Sequence, residues 1–274
     1  MSSAMSEAKS LAGRHALVTG GGRGIGAACA RALLLRGASV TLAGRDGARL
    51  EQAALELHAL LADEPALAES CRVAIRTMDV GDEASVREGF AAAAERLGRI
   101  DILVNNAGQV HSAPFLKTGS EDWRRMLEVN LGGVFHCSQA ALPAMLEAGW
   151  GRIVNIASTA GLTGYRYVSA YTAAKHGVVG LTRALALEVA AKGVTVNAVC
   201  PGFTETDIVK EAVANIMLKT GRSEAQARAE LAAGNPQQRL IQSEEVAHAV
   251  AWLCLPESGA MNGQALAVAG GEVM

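Results

Sequence analysis

Three polar residues in the second half of the chain could together transfer a proton. Ser158 ends a predicted strand, and Tyr171 and Lys175 follow it, four residues apart on one face of a predicted helix. A tyrosine hydroxyl is a poor acid or base at neutral pH, and a close ammonium group is expected to favour its anion and lower its pKa. Tyr171 would then exchange a proton with a substrate oxygen that Ser158 steadies by a hydrogen bond. A packed tyrosine beside a surface lysine is the structural alternative.

A glycine-rich segment near the N-terminus could bind phosphates. The segment TGGGRGIG, residues 19–26, follows a predicted strand and precedes a predicted helix. In that position backbone N–H groups can approach a dinucleotide at the helix N-terminus. The members of the loop taken as binding residues are Gly20, Arg23, Gly24, Ile25 and Gly26. Glycine clusters also form ordinary turns, but the order strand, loop, helix favours nucleotide binding.

The end of the second strand decides which dinucleotide is expected. An acidic residue there would bind the ribose hydroxyls of NAD, whereas a basic residue would accept the 2′-phosphate of NADP. The strand ends in Gly44 and Arg45, and Arg23 in the glycine loop supplies a second guanidinium group. NADP(H) is therefore favoured over NAD(H). The alternative is a solvated Arg45 with Asp46 touching a ribose.

Further polar and glycine residues follow other predicted strands. Asn105, Asn106, Ala107 and Gly108 close the fourth strand, and Pro201 and Gly202 follow the sixth. Ligands of open α/β sheets bind at the carboxyl ends of the strands. These residues are therefore expected near the same crevice as Tyr171.

The alternation of apolar runs and helical patterns predicts a single-domain α/β Rossmann fold, with a seven-stranded parallel doubly wound sheet and helices on both faces. The predicted strands are His15–Thr19, Ser39–Leu42, Arg72–Met78, Ile102–Asn105, Arg152–Ala157, Val194–Val199 and Ala265–Val268. Residues 11–274 form the domain, with a helical flap at 205–235, and residues 1–10 are expected to be a flexible tail.

Composition excludes several classes of protein. The chain has 274 residues, of which 50% are hydrophobic and 19% charged, so a disordered chain is excluded. No apolar run is long enough for a membrane helix, and the net charge of -2 provides no general attraction for nucleic acid. Five scattered cysteines without a C-x-x-C pair suggest neither disulfides nor a metal site, and a reducing cytoplasm fits best.

Taken together, these motifs resemble the short-chain dehydrogenase/reductase family over nearly all of Leu11 to Gly271. The resemblance implies catalysis by Asn130, Ser158, Tyr171 and Lys175, with Asn130 holding a water in a proton relay and Lys175 also touching the nicotinamide ribose. It further implies a cofactor site that includes Asp79 and Val80 near the adenine, Asn106, Ala107 and Gly108, and Pro201, Gly202 and Thr206 around the nicotinamide carboxamide. Taken alone, Asp79 could cap the next helix and Asn130 could be solvated.

The resemblance also implies an activity and an assembly. The pattern is most like 3-oxoacyl reductases, so a 3-oxoacyl thioester on CoA or acyl carrier protein is the expected substrate, and a homotetramer is the expected assembly. Two departures bear on this: Ala269 replaces a common aspartate, and Ala160 replaces the histidine with which 3-hydroxybutyrate dehydrogenases hold their acid. The alternatives are an NAD(H)-dependent hydroxy-acid or other alcohol dehydrogenase of the same family, and a dinucleotide-sensing or scaffold protein without turnover.

Overall fold

The computed structural model describes residues 10–274, so the predicted tail at residues 1–10 lies outside the described residues except for Ser10. Seven parallel strands form one sheet in the order β3-β2-β1-β4-β5-β6-β7. The strands are β1 (His15–Thr19), β2 (Ser39–Gly44), β3 (Val73–Thr77), β4 (Ile102–Asn105), β5 (Gly151–Ile156), β6 (Val194–Pro201) and β7 (Ala265–Val268). The predicted fold class is confirmed.

The strands are connected by helices that cover both faces of the sheet. These helices are α1 (Gly24–Leu35), α2 (Gly47–Asp63), α3 (Pro65–Ala68), α4 (Glu83–Leu97), α5 (Ser120–Leu127), α6 (Gly133–Glu147), α7 (Ser169–Val189), α8 (Asp207–Thr220), α9 (Glu224–Ala232) and α10 (Ser243–Leu253). One core layer joins the sheet to α1, α2 and α10, and a second joins it to α4, α6 and the end of α7. Because both faces are buried, the strands are apolar on both sides.

Strand boundaries differ from the prediction by up to two residues. The largest difference is at β2 and β6, which run on to Gly44 and Pro201, because these residues still pair with Thr77 and Val268 of the neighbouring strands. Glycine and proline usually weaken a strand, so sequence patterns end the strands earlier. The extension brings the residues that follow both strands to the carboxyl edge of the sheet.

The flap consists of α8 and α9. Gly221 ends α8 with a φ of 69°, and Ser223 begins α9 with a reciprocal capping box that involves Gln226. Val209 and Val213 of α8 are buried against the other flap residues. The aliphatic side chains of the flap therefore pack largely on one another.

The chain order of the strands reverses between β1 and β4, which creates a crevice at their carboxyl ends. Thr19 ends β1 and Asn105 ends β4, so the glycine-rich loop and the segment 105–108 face each other across this crevice. Ligands of open α/β sheets bind at such a point. Within residues 10–274, no helix has the length and apolarity needed to cross a membrane.

Candidate active site

Thr19 fastens the glycine-rich loop to the segment that follows β4. Its hydroxyl oxygen accepts hydrogen bonds from the backbone N–H groups of Asn106 and Ala107, both at 3.0 Å. The Asn106 amide in turn donates to the carbonyl oxygens of Thr19 at 2.9 Å and Gly20 at 3.2 Å. The two loops form one hydrogen-bonded unit, in which Asn106 supports the glycine loop.

The glycines of the loop leave a cradle that any larger residue would fill. Gly20 has a φ of 63°, and a β-carbon there would lie 2.7 Å from the Asn106 amide nitrogen. Gly24 has a φ of 52°, and a β-carbon at Gly26 would overlap the carbonyl oxygen of Gly20. Positive φ values and close backbone approach are the two conditions that require glycine. The loop fits a bound pyrophosphate at the N-terminus of α1.

Arg45 lies beside Asp79 at one end of the crevice. Their charged groups are 3.9 Å apart; the Arg45 side chain is largely exposed and the Asp79 side chain is about half exposed. These two residues, with Gly81, Asp82, Gln109, Arg125, Glu128 and Val129, line a cleft of about 300 Å³. Arg125 donates to the Gln109 amide oxygen at 3.0 Å. The sequence motifs identify Arg45 and Asp79 but not Gln109 or Arg125.

Two carboxylates near this cleft are engaged in capping helices. Asp46 accepts from the backbone of Arg49 at the start of α2 and also pairs with its guanidinium group at 3.1 Å. Asp82, rather than Asp79, caps α4 by accepting from Ala84 and Ser85. The capping role considered for Asp79 is thus filled by Asp82, and Asp46 is already occupied.

Arg23 of the glycine loop contacts Asp207, the first residue of helix α8 in the flap. Its guanidinium group donates to Asp207 at 2.8 Å, and Arg49 lies 3.9 Å from the same carboxylate. The Arg23 hydrogen bond lowers the pKa of Asp207. A β-carbon at Gly24 would lie 3.2 Å from the Thr206 methyl group, so Thr206 packs directly on the glycine loop.

Asn130 lies in a π-helical turn, Glu128–Gly132, between α5 and α6, and is fully buried. Its amide oxygen accepts from the backbone N–H of Gln109 at 3.1 Å, and its amide nitrogen donates to the Gln109 carbonyl oxygen at 2.9 Å. Gly108 has no room for a side chain, because a β-carbon would lie 2.7 Å from the Asn130 amide oxygen. The side chain of Asn130 therefore holds the segment after β4, and the water relay stays a prediction.

Ser158 lies two residues past Ile156, the last residue of β5. Its hydroxyl oxygen accepts from the backbone N–H of Ala160 at 3.1 Å, which begins a short 3₁₀ turn at Thr159–Gly161. The hydroxyl also lies close enough to the Tyr171 phenol to lower its pKa. Ser158 and Tyr171 are therefore brought together, as the sequence predicts.

Tyr171 lies in the first turn of α7, and its phenol has a pKa above the ordinary value. Burial raises the pKa, and the neighbouring Ser158 hydroxyl opposes this without cancelling it. This direction is opposite to the one predicted from the spacing of Tyr171 and Lys175. Desolvation of the phenolate outweighs the other influences here.

Lys175 is buried, and its ammonium group donates to the Ile156 carbonyl oxygen at 2.8 Å. The ammonium nitrogen lies 5.6 Å from the centre of the Tyr171 ring. Burial lowers the pKa of Lys175 to about 8. The lysine is thus close to the phenol but is held by the end of β5.

The remaining predicted residues surround the same edge. Pro201 is buried at the end of β6, and the backbone N–H of Gly202 donates to the Val268 carbonyl oxygen at 3.1 Å. Val80 is buried against Gly133. Ile25, in the first turn of α1, packs against the hydrophobic core. Among the described residues, no cluster of three or more potential metal ligands occurs.

Comparisons with known proteins agree with this geometry. The family model described as short chain dehydrogenase matches residues 14–216. The D-beta-hydroxybutyrate dehydrogenase of Rhizobium meliloti is 37% identical over 94% of this chain and 98% of its own. The 3-oxoacyl-acyl-carrier-protein reductase FabG of Vibrio cholerae is also 37% identical, over 96% and 99%. A variant of the actinorhodin polyketide ketoreductase, solved with NADPH, superposes with a TM-score of 0.87 at 40% identity, over 94% of this chain and 97% of that one.

The family match covers most of the chain, and the relatives align over nearly their whole length. Strands β1 to β6, the glycine cradle and the group formed by Ser158, Tyr171 and Lys175 lie inside the matched residues. The chain belongs to the short-chain dehydrogenase/reductase family of oxidoreductases.

Proposed function

We propose that this protein is an NADP(H)-dependent oxidoreductase that interconverts a carbonyl group and a secondary alcohol, with a 3-oxoacyl thioester as its substrate. The observation that carries the proposal is the group formed by Ser158, Tyr171 and the buried ammonium group of Lys175. This group lies at the same sheet edge as the glycine cradle.

The proposed chemistry assigns one task to each residue. A bound nicotinamide supplies or accepts the hydride at the substrate carbon. Ser158 donates a hydrogen bond to the carbonyl oxygen and orients it. Tyr171 gives its proton to that oxygen during reduction and takes it back during oxidation. Lys175 provides the positive charge that favours the phenolate after the proton has left.

Asn130 acts in this scheme as a positioning residue. Its side chain is hydrogen-bonded to Gln109 and leaves no space beside Gly108. Asn130 therefore fixes the position of the segment after β4 relative to the glycine loop. The proposed cofactor contacts of Asn106, Ala107 and Gly108 depend on that position. The proposed contacts of Pro201, Gly202 and Thr206 follow from their place at the ends of β6 and the flap.

The charges at the cleft support NADP(H) over NAD(H). Arg45 is exposed and its nearest carboxylate is 3.9 Å away, so it is available for a 2′-phosphate. Asp46, the acidic residue that could otherwise bind a ribose, caps α2 and pairs with Arg49. The related ketoreductase solved with NADPH agrees with this preference.

Two lines of support favour a thioester over a free hydroxy acid. The Vibrio cholerae relative is named for reduction of 3-oxoacyl groups on acyl carrier protein. Ala160, which is buried, leaves no imidazole beside Ser158 for a substrate carboxylate. The Rhizobium meliloti relative, named for hydroxybutyrate, represents the main alternative.

A homotetramer in the cytoplasm completes the proposal. Helices α6 and α7, which we expect to pair across subunits, carry the exposed apolar side chains of Phe135, Leu146 and Leu187. A second subunit packed on these helices would remove these side chains from water. All five cysteines are buried, which suits a compartment where they stay reduced.

A panel of acetoacetyl-CoA, 3-hydroxybutyrate and simple ketones, assayed with NADPH and NADH at the nicotinamide absorbance, tests the proposal. We expect reduction of acetoacetyl-CoA with NADPH to have the highest kcat/KM. Faster oxidation of free 3-hydroxybutyrate with NAD would identify a hydroxy-acid dehydrogenase instead. Binding of NADPH without turnover of any member would favour a sensing protein.

A further inference from the structure

Glu272 lies at the carboxyl edge of the sheet, beside the segments that follow β5 and β6. Its Oε1 atom lies 2.5 Å from the Tyr165 hydroxyl oxygen, in the segment between β5 and α7. A β-carbon on Gly202 would lie 2.8 Å from its Oε2 atom, so the carboxylate rests directly on the backbone after β6. A β-carbon on Gly234, at the end of the flap, would lie 3.4 Å from the Oε1 atom of Glu272. The carboxylate is therefore surrounded by three segments at the catalytic edge.

The chain needs two glycines to bring Glu272 to this point. Gly270 and Gly271 follow β7 with φ values of 61° and 94°, a conformation that L residues rarely adopt. A side chain at Gly270 would overlap Asn235, and one at Gly271 would meet Pro236 at 3.3 Å. The last turn of the chain is thus pressed against the end of the flap, and this fixes where the glutamate points.

Tyr165 connects the carboxylate to the residue after Ser158. The phenol oxygen is 2.8 Å from the Thr159 hydroxyl, and it has only one proton. Because a carboxylate can only accept, that proton points to Glu272 and the Thr159 hydroxyl donates to the phenol. Burial and the neighbouring Glu272 raise the pKa of Tyr165 to about 12, so the phenol stays a neutral donor. Tyr165 therefore orients the carboxylate without neutralising its charge.

No lysine or arginine in residues 10–274 forms an ion pair with Glu272. Its negative charge is therefore not neutralised by such a pair, and it acts on groups that bind at this edge of the sheet. A charge in a partly desolvated crevice repels a like charge more strongly than in water. Substrates that carry their own carboxylate next to the reacting carbonyl are the ones affected.

Resting on the function proposed above, we propose that Glu272 is a specificity-determining residue that excludes substrates whose acyl group carries a free carboxylate. It restricts the substrate to 3-oxoacyl esters and thioesters, in which the acyl group is uncharged, and rejects the free 3-oxo acid. The selection is electrostatic, and it complements Ala160, which stands where 3-hydroxybutyrate dehydrogenases have a histidine for the acid. A neutral acyl group meets no such penalty.

Ethyl acetoacetate and acetoacetate form the matched substrate pair, because they share the 3-oxobutyryl group and differ in the carboxylate. We expect the wild-type protein with NADPH to prefer the ester. In Glu272→Gln, the amide oxygen can still accept from Tyr165 while the charge is gone. The kcat/KM for acetoacetate should then rise about tenfold, chiefly through KM, and that for the ester should stay within about threefold.

Two further variants separate charge from structure. Glu257→Gln removes an equal charge from an exposed position at the opposite edge of the sheet and should leave both substrates unaffected. Tyr165→Phe removes the hydrogen bond and keeps the charge, so discrimination against acetoacetate should persist. An equal fall for both substrates in Glu272→Gln would mean that the residue is merely structural, and an unchanged ratio would also overturn the proposal.

Binding provides a test that does not depend on turnover. The shift in melting temperature caused by acetoacetate should be larger for NADPH-loaded Glu272→Gln than for the loaded wild-type protein. If neither substrate is reduced but this difference appears, the proposed reaction is wrong and the role of Glu272 stands. Equal shifts in both proteins would contradict the role of Glu272, whatever the activity.

Discussion

The ammonium group of Lys175 is bound to the carbonyl oxygen of Ile156 at 2.8 Å, at the end of β5. The same strand leads to Ser158, two residues further along the chain. Strand β5 therefore positions both the Ser158 hydroxyl and the Lys175 cation near Tyr171. This relationship explains why the lysine is close to the phenol, although burial is the largest influence on the phenol's pKa.

Replacement of Tyr171 by phenylalanine should remove nearly all turnover and preserve NADPH affinity. The ring keeps its shape, and only the proton donor is lost. Steady-state kinetics and NADPH titration measure the two quantities. Tyr167→Phe is the matched control, because Tyr167 is exposed and has no role in the proposed chemistry. Activity of Tyr171→Phe within about tenfold of wild type would contradict proton transfer by Tyr171.

Replacement of Arg45 by alanine should weaken NADPH binding by about 1 to 3 kcal/mol and leave NADH binding nearly unchanged. The reason is the loss of a charged hydrogen bond to the 2′-phosphate, a group that NADH lacks. Titration with both cofactors measures the difference. Arg31→Ala, at an exposed position on α1, is the control for loss of one positive charge. Equal weakening for both cofactors would favour NAD.

Replacement of Gly26 by alanine should reduce the free energy of unfolding by about 1 to 3 kcal/mol and prevent tight NADPH binding. The new β-carbon would overlap the Gly20 carbonyl oxygen, so the loop has to move. Gly47→Ala provides a control, because a β-carbon there would find nothing closer than 3.7 Å. Urea unfolding and NADPH titration test this, and unaltered binding by Gly26→Ala would mean that the cradle is not the phosphate site.

Lys175 should make the protein more stable as the pH rises from about 8 to 10.5. Burial lowers the pKa of Lys175 from 10.5 to about 8, so in this window the unfolded chain binds a proton that the folded chain has released. Unfolding then takes up protons, and its free energy increases with pH, by about 1 to 3 kcal/mol over the window. Below pH 8 both states are protonated, and the lysine contributes no slope.

Urea unfolding of Lys175→Met at pH 8 and pH 10 isolates this contribution. All other groups titrate alike in both proteins, so the increase with pH should be smaller in the variant than in wild type. Lys192→Met, at an exposed position, should retain the wild-type increase. Identical slopes for wild type and Lys175→Met would show that the lysine keeps its ordinary pKa.

Light scattering should give a mass near four times 28.3 kDa. Phe135→Glu should reduce that mass, because it places a charge on the exposed face of α6 that we expect to be covered by another subunit. Leu218→Glu, on the exposed face of the flap, serves as the control. A monomeric wild-type protein would refute the proposed assembly.

Much of this protein follows from local patterns in its sequence. Apolar runs alternate with amphipathic helices, and this dictates a doubly wound sheet, because both faces of each strand must be buried. The glycine loop and the four-residue spacing of Tyr171 and Lys175 are also local, since each lies within one loop or one helix. These features are therefore visible without coordinates.

The tertiary structure alone decided which groups meet across the crevice and what surrounds them. The contact between Glu272 and Tyr165 spans 107 positions, and that between Arg23 and Asp207 spans 184, so no spacing rule could reveal them. The direction of the Tyr171 pKa also depends on burial, which is a property of the packed molecule. Sequence periodicity determines which residues each element presents, whereas desolvation and long-range contacts arise only when the elements are packed together.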